Sequence, residues 1–387
     1  MTAGAFDRRA APGTQTSAEP YRVLLVDDSA VIRGLSARIL EKDPAVRVVA
    51  TAGDGAQAVS ALRRRSVDVV VLDIEMPVMD GLTALPKLLE IDPDVRIVMS
   101  STLTTRNADI SLRALQAGAA DYIPKPSTAK EMIGGDEFAR DLLAKVKALG
   151  ASRRGQRPAA DPVGSTAPAA PPPAGPKPLA GVAPIALRKP SLVPPRILIL
   201  GSSTGGPKAL STLFRGLRGK LNMPILLTQH MPATFTAMLA EHIADAGERP
   251  AVEGADGMVL EPGHLYVAPG DYHMVIEEAG GRASVCLNQD PPENFCRPSV
   301  DPLLRSAARI YGPAVLAVIL TGMGQDGLLG CETVVEGGGT VIAQDEATSV
   351  VWGMPGAVAT AGLCSAVLPL DAIAGKIVGQ AGGKGAR

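Results

Sequence analysis

A proline-rich segment in the middle of the chain limits the folds that are open to it. Twelve of the 45 residues from 151 to 195 are proline, with alanine, glycine and serine between them. Such a composition buries no core, and proline stiffens the backbone toward extended polyproline II. We therefore predict a Pro/Ala-rich linker over residues 146–195. It joins a domain at 21–145, preceded by a disordered extension at 1–20, to a second domain at 196–387.

Composition excludes several classes of protein. Lys and Arg number 38 and Asp and Glu 39, a net charge of −1, so no basic bias favours nucleic acid as a partner. Residues 1–20 lack the apolar core of a signal peptide, and no apolar run reaches the roughly 20 residues of a membrane span. The four cysteines have neither C-x-x-C nor zinc-finger spacing, which favours reduced thiols. We expect a cytoplasmic protein without membrane insertion.

Before the linker, short β-branched runs alternate with segments of helical periodicity. The runs are Val23–Val26, Val46–Ala50, Val69–Leu72, Ile97–Met99 and Tyr122–Ile123. Nearly continuous apolar strands are typical of a parallel sheet that is covered on both faces. Residues 21–145 are therefore predicted to form an α/β domain of the (βα)5 type.

Polar residues follow the strands of this domain. Asp27 and Asp28 follow the first strand, Asp73 the third, a Ser-Ser pair the fourth, and Lys125 the fifth. The carboxyl ends of parallel strands meet at one edge, where three carboxylates repel each other unless a cation such as Mg²⁺ neutralises them. A lysine and a hydroxyl opposite the cation would hold a phosphoryl group.

The stretches VLLVDDS, VVVLDIEMPVMDGL, IVMSS and DYIPKP resemble the receiver domain of bacterial response regulators. The resemblance implies that Asp73 is phosphorylated and that this phosphorylation requires Mg²⁺. It implies the following roles: metal binding by Asp27, Asp28, Asp73 and the backbone carbonyl of Glu75, a switch hydroxyl on Ser100, a reorienting aromatic at Tyr122, and phosphate sensing by Lys125.

After the linker a second alternating pattern begins. Its strand candidates are Arg196–Leu200, Ile225–Thr228, Val315–Leu320 and Thr340–Ala343. Residues 257–288 differ, because glycine and proline punctuate short alternating runs there. This pattern predicts a doubly wound α/β domain with inserted β-hairpins.

The segment ILILGSSTGGPKAL, residues 197–210, has the pattern of a strand, a tight turn and a helix. A dinucleotide fingerprint needs glycine at position 203, which is serine, and a P-loop needs lysine at position 207, which is proline. The sequence G-S-S-T-G instead fits G-x-S-x-G, in which a strand-to-helix turn exposes a nucleophilic serine. Ser203 is the predicted nucleophile, and a plain structural turn is the alternative.

A serine nucleophile needs a base, and the chain has four histidines. His230 follows the strand Ile225–Thr228 and therefore lies on the same rim of the sheet as Ser203. His242 has a mid-helix position, and the other two lie in the hairpin region. His230 is the predicted base.

The base needs an acid that orients it. Asp326 lies in the glycine-rich loop TGMGQDG after a buried strand, and Asp345 and Glu346 are competing acids. The predicted order is serine, histidine, acid. The order of an α/β-hydrolase, serine, acid, histidine, stays open. That alternative would pair Asp245 or Asp256 with His264 or His273.

The stretches GSSTGGPKAL, TQHMP, FCRPSVDPLLRS, LTGMGQDG and GGGTVIAQDEATSVVWGMPGAV resemble the catalytic domain of chemotaxis protein-glutamate methylesterases. This resemblance implies the triad Ser203, His230 and Asp326, and an oxyanion donor in the backbone N–H of Met323. Arg297 is expected in a substrate groove, with an ion pair as the alternative.

The resemblance also implies an activity. It is the hydrolysis of glutamyl methyl esters on chemoreceptors with release of methanol, together with deamidation of receptor glutamines. We expect phosphorylation by a chemotaxis histidine kinase to activate the enzyme, Mg²⁺ to serve the receiver, and the esterase to need no cofactor.

Overall fold

The N-terminal half is a single parallel sheet covered by helices. The computed structural model describes residues 19–102, 104–126, 136–155 and 185–382. The elements of this half are β1 (Tyr21–Val26), α1 (Ala30–Leu40), β2 (Val46–Ala52), α2 (Gly55–Arg64), β3 (Val69–Asp73), α3 (Gly81–Ile91), β4 (Arg96–Ser101), α4 (Thr105–Ala117), β5 (Asp121–Pro124) and α5 (Asp136–Gly155). The strand order is β2-β1-β3-β4-β5, which confirms the (βα)5 prediction.

Helix α5 corrects the predicted start of the linker. Residues 146–155 are helical, because the apolar periodicity of α5 continues past position 145. Leu142, Val146 and Leu149 are fully buried in one apolar cluster with β1. The helix ends before the first proline of the segment, Pro158. Most of the predicted linker, residues 156–184, and residues 1–18 of the predicted extension lie outside the described residues.

The C-terminal half is a larger parallel sheet. Its strands and helices are β6 (Ile197–Ser202), α6 (Gly206–Leu217), β7 (Ile225–Gln229), α7 (Ala233–Gly247), β8 (Ala251–Glu253), β9 (Leu265–Val267), β10 (His273–Ala279), β11 (Arg282–Asn288), α8 (Val300–Tyr311), β12 (Val315–Ile319), α9 (Leu328–Glu336), β13 (Thr340–Gln344), α10 (Met354–Thr360), β14 (Ala366–Leu368) and α11 (Leu370–Gln380). A short 3₁₀ helix, Gly312–Ala314, precedes β12. The sheet order is β14-β13-β12-β6-β7-β9-β8, and every pairing is parallel.

The predicted α/β architecture is confirmed, with one change in the hairpin region. Within residues 257–288 there is one hairpin, β10–β11, whereas β9 joins the parallel sheet beside β7. Strand β9 is only three residues long, as are β8 and β14, which the sequence pattern missed. So short a run carries too little periodicity to distinguish a sheet strand from a hairpin arm.

The two halves pack against each other through the rim that carries the Ser203 turn. The ring of Tyr122 in β5 stacks on Phe235 in α7, with centroids 4.6 Å apart. In the described part of the chain, no helix combines the length and the apolar character needed to cross a membrane.

Candidate functional site

The turn between β6 and α6 presents Ser203 and buries Ser202. The Ser202 hydroxyl donates to Gln229 Oε1 at 2.7 Å, and Gln229 Nε2 donates to the Ser203 carbonyl at 3.0 Å. Gly205 has a φ of 79°, which favours glycine, and a Cβ on Gly206 would lie 1.9 Å from Gln229 Oε1. These contacts fix the turn, so that the half-buried Ser203 is the serine open to a substrate.

His230 and Asp326 form a close pair beside this turn. His230 Nε2 lies 2.7 Å from Asp326 Oδ2. The Asp326 side chain is 1% exposed. It also accepts hydrogen bonds from the Asn294 amide, the Ser299 hydroxyl and the backbone N–H groups of Val300, Asp301 and Gly327.

The pKa of Asp326 reflects these donors. Burial raises the pKa of the carboxyl, but the hydrogen bond and charge of His230, with the Val300 and Ser299 donors, outweigh burial and lower it to about 2. Asp326 is therefore a fixed negative charge at neutral pH that holds the imidazole in one orientation.

The second nitrogen of His230 faces a thiol. Cys296 Sγ lies 3.4 Å from His230 Nδ1, whereas no hydrogen bond joins Ser203 to His230 among the described residues. Burial would lower the pKa of His230, but the charge of Cys296 and the hydrogen bond to Asp326 raise it to about 10. Nothing in the sequence pattern singled out Cys296, which lies between strand β11 and helix α8, at the end of a turn.

The loop that carries Met323 lies against Ser203. A Cβ on Gly322 would lie 2.9 Å from the Ser203 Cβ, so this loop approaches the serine as closely as glycine allows. The Gly322 carbonyl accepts from the N–H groups of Gly353 and Met354, which anchor the loop. In the described part of the chain, the Met323 N–H donates no hydrogen bond.

The α/β-hydrolase order finds no matching pair. His264 contacts Glu261 at 3.6 Å, and His273 is buried with hydrogen bonds to backbone groups. Neither is hydrogen-bonded to Asp245 or Asp256 within the residues that the structure describes. This arrangement favours the order serine, histidine, acid.

Neither competing acid contacts His230 in the described part of the chain, and the arginine predicted for a groove forms an ion pair. Asp345 accepts from the Thr348 hydroxyl at 2.6 Å, and Glu346 is exposed. The Arg297 guanidinium pairs with Asp271 at 2.7 Å and donates to two backbone carbonyls. Arg297 thus forms an ion pair, as the alternative expected, and its place in a substrate groove stays a prediction.

The carboxylates at the edge of the N-terminal sheet converge as predicted. Oxygen atoms of Asp27, Asp28 and Asp73 all lie within 4.8 Å of one another. Lys125 Nζ is 2.7 Å from Asp27 and 2.6 Å from Asp73. Burial raises the pKa of Asp73 to about 6, although Lys125 and the Glu75 backbone act in the opposite direction.

The cavity at this edge favours Ser101 over Ser100 as the hydroxyl of the site. The cavity of about 230 Å³ is lined by Asp28, Asp73, Ile74, Glu75, Ser101, Thr102, Asn107 and Lys125. Successive side chains of a strand point to opposite faces, so a shift of one residue decides which serine faces the cavity. The predicted assignment to Ser100 is accordingly corrected to Ser101.

Strand β5 connects the two sites. The Ala120 carbonyl, directly before the strand, accepts a hydrogen bond from the Gly205 N–H at 3.1 Å. The Asp121 carboxylate, at the start of the strand, accepts a hydrogen bond from the Thr204 hydroxyl. Lys145 in α5 lies 3.1 Å from Asp121. Asp121, four residues before Lys125, therefore contacts Thr204, the residue after Ser203. The sequence alone did not predict this contact.

The N-terminal half has the carboxylates and the lysine of a phosphorylation site, and the C-terminal half has a serine, a histidine and an aspartate on one rim of its sheet. Together these features define a response regulator with a hydrolase output domain. Residues 23–134 match the response regulator receiver domain model, and residues 198–377 match the CheB methylesterase model. The chain belongs to the family of protein-glutamate methylesterases/protein-glutamine glutaminases, which confirms the resemblance seen in the sequence.

Three similar proteins illustrate the family. The protein-glutamate methylesterase/protein-glutamine glutaminase 1 of Paramagnetospirillum magneticum is 55% identical over 361 residues, which is 92% of this chain and 95% of that protein. The enzyme named likewise in Azospirillum brasilense is 56% identical over 375 residues, 94% of this chain and 93% of that protein. The crystal structure of the Thermotoga maritima CheB methylesterase catalytic domain is 41% identical with a TM-score of 0.47 and covers 48% of this chain and 99% of that chain.

Proposed function

We propose that this chain is a phosphorylation-activated serine hydrolase of the cytoplasm. It would hydrolyse glutamyl methyl esters on chemoreceptors, with release of methanol, and deamidate specific receptor glutamines. The similarity to the named enzymes over more than nine tenths of the chain supports the reaction class. The observation that carries the choice of residues is the 2.7 Å contact between His230 and the buried Asp326, next to the Ser203 turn.

The chemistry follows from the roles of these side chains. Asp326 accepts from Nε2–H, so Nδ1, which Cys296 Sγ contacts at 3.4 Å, is the nitrogen that would take the proton of Ser203. The Ser203 oxygen attacks the ester carbonyl, and the Met323 N–H donates to the oxyanion that forms. His230 then gives the proton to the leaving methoxide, and methanol departs. Water, activated by the same imidazole, cleaves the acyl-enzyme to glutamate, and with a glutamine substrate ammonia leaves instead.

The receiver half supports phosphoryl transfer to Asp73. Three carboxylates whose oxygen atoms lie within 4.8 Å of one another suit a hard divalent cation, and Asp27, Asp28 and Asp73 with the Glu75 carbonyl would hold Mg²⁺. A cation bound by these residues would neutralise charge on the incoming phosphoryl group. Lys125 reaches the Asp73 oxygen and would shift to the phosphoryl group, and a chemotaxis histidine kinase would be the donor.

Contacts between the halves support regulation by occlusion. The receiver touches the turn that holds Ser203 through Asp121 and Ala120, and it touches α7 through Tyr122. Re-packing of Ser101 and Tyr122 around a phosphorylated Asp73 would alter this face and release the receiver. Each tenfold change in the uncovered fraction requires about 1.4 kcal/mol of differential docking.

Methanol release from a methylated receptor preparation tests the proposal. Residues 196–387 should be faster than the unphosphorylated full chain, and phosphorylation should raise the full chain toward or beyond the rate of the fragment. If the phosphorylated wild-type full chain released no methanol, the proposed hydrolase activity would be excluded. A folded fragment that is no faster than the unphosphorylated chain would exclude occlusion while leaving the hydrolase in place.

A further inference from the structure

The Cys296 thiol occupies the imidazole nitrogen that the proposed mechanism needs. Cys296 Sγ is 3.4 Å from His230 Nδ1, and His230 Nε2 is 2.7 Å from Asp326. Cys296, His230 and Asp326 thus form one chain of hydrogen-bonding contacts, an arrangement in which a histidine can activate a thiol. The serine and the cysteine share a single base.

A strained turn holds Cys296 in this position. The Cys296 N–H donates to the Glu293 carbonyl at 2.9 Å, and the two residues between them, Asn294 and Phe295, have φ values of 52° and 62°. Left-handed backbone is costly for a residue such as phenylalanine. The Asn294 amide donates to Asp326 Oδ1 at 3.1 Å, so the carboxylate that orients the imidazole also anchors the turn that carries the thiol.

The groups that face Cys296 favour a reactive thiol. His230 lies on one side, and Lys145 of the receiver is close enough for its charge to interact with that of Cys296. Burial would lower the pKa of Lys145, but the charges of Asp121 and Asp141 and, to a lesser extent, that of Cys296 raise it. A base in contact with a thiol can accept its proton when the sulfur reacts with an electrophile, and Cys296 is only half-buried.

Cys286 offers a matched contrast within the same domain. It is also half-buried, but its neighbours are carboxylates. Burial, together with hydrogen bonds and charges of Glu277 and Asp256, raises the pKa of Cys286 to about 11. Cys331 and Cys364 are buried. Of the four thiols, Cys296 alone combines access with a basic partner.

We propose that Cys296 is a modification site, a thiol activated by His230 that reacts with oxidants of the peroxide class and thereby withdraws His230 from Ser203. The thiol proton moves to Nδ1, and the sulfur attacks one oxygen of hydrogen peroxide. The S–O bond forms, the O–O bond breaks, and the leaving hydroxide takes the imidazolium proton as water. Sulfur is oxidised by two electrons to a sulfenic acid and the peroxide is reduced.

The first arm of the test measures thiol reactivity without any receptor substrate. The full-length chain is treated with iodoacetamide, and the labelling rate of each cysteine is followed by mass spectrometry. Cys296 should label at least about tenfold faster than Cys286 because its partner is a base. His230→Gln should slow the labelling of Cys296, and Ser203→Ala should leave it unchanged. Equal rates for Cys296 and Cys286 would overturn the proposal.

The second arm measures methanol release after hydrogen peroxide, relative to the untreated rate of each variant. Wild type and Cys286→Ser should lose most of their activity and regain it with dithiothreitol, whereas Cys296→Ser should be insensitive. Equal loss in Cys296→Ser and wild type would show that the oxidised group lies elsewhere. The consequence for the esterase rests on the proposed function. Fast labelling of Cys296 combined with an active Ser203→Ala variant would refute the role of Ser203 and keep the reactive thiol.

Discussion

Replacing Asp326 by asparagine tests the geometry of the site most directly. Asparagine keeps the shape but removes the charge, and its NH₂ group must face donors whichever way the amide turns. One carboxylate oxygen accepts from His230 and Val300, and the other from Asn294, Ser299, Asp301 and Gly327. The variant therefore loses the anion that orients His230 and gains a clash between donors.

The magnitudes follow from these contacts. Loss of the orienting carboxylate from a catalytic triad lowers kcat by about 10⁴-fold. The pKa of Asp326 falls from 3.8 to about 2 in the folded protein, which corresponds to about 2–3 kcal/mol of stability at neutral pH. A lowered pKa contributes stability above pH 4 that is lost as the pH falls toward 2. The difference in unfolding free energy between wild type and variant should therefore shrink over that range.

Two measurements separate catalysis from stability. Methanol release gives kcat, and urea unfolding followed by the fluorescence of Trp352, the single tryptophan of the sequence, reports on the catalytic domain. Glu346→Gln, at an exposed acid, is the matched control and should change neither quantity. A folded Asp326→Asn variant with a wild-type kcat, or an inactive Glu346→Gln variant, would refute the assignment of the acid.

Three further predictions concern the serine, the receiver and their contact. Ser203→Ala should abolish methanol release in a folded protein, whereas Ser202→Ala, which loses only the bond to Gln229, should retain much of it; the reverse outcome would show that the nucleophile is Ser202. Asp73→Asn should prevent acid-labile, Mg²⁺-dependent phosphorylation, and a variant that is phosphorylated normally would contradict the assignment. Thr204→Val removes a hydrogen bond to a carboxylate worth about 1.5–3 kcal/mol, so unphosphorylated full-length activity should rise roughly tenfold or more. The same substitution in residues 196–387 should bring no gain, and a gain there would place its effect outside the interface.

Local sequence sufficed for the N-terminal sheet, for the four longer strands of the C-terminal sheet and for most of the site. Continuous β-branched runs specify buried parallel strands, and residues directly after such strands must meet at one edge. Asp27, Asp28, Asp73 and Lys125 could be placed together for this reason. The turn around Ser203 could also be predicted, because the φ of Gly205 favours glycine and a Cβ at Gly206 would collide with Gln229.

Tertiary structure decided what depends on direction and on contacts between distant segments. The sequence could not say whether Ser100 or Ser101 faces the phosphate cavity, since one residue of register reverses the face of a strand. Strands of three residues, such as β8 and β9, exist only because a neighbouring strand pairs with them. The contact of Asp121 with Thr204 and that of Cys296 with His230 join residues 83 and 66 positions apart. No local pattern encodes such contacts, because they arise only when the packing of whole domains brings the two segments together.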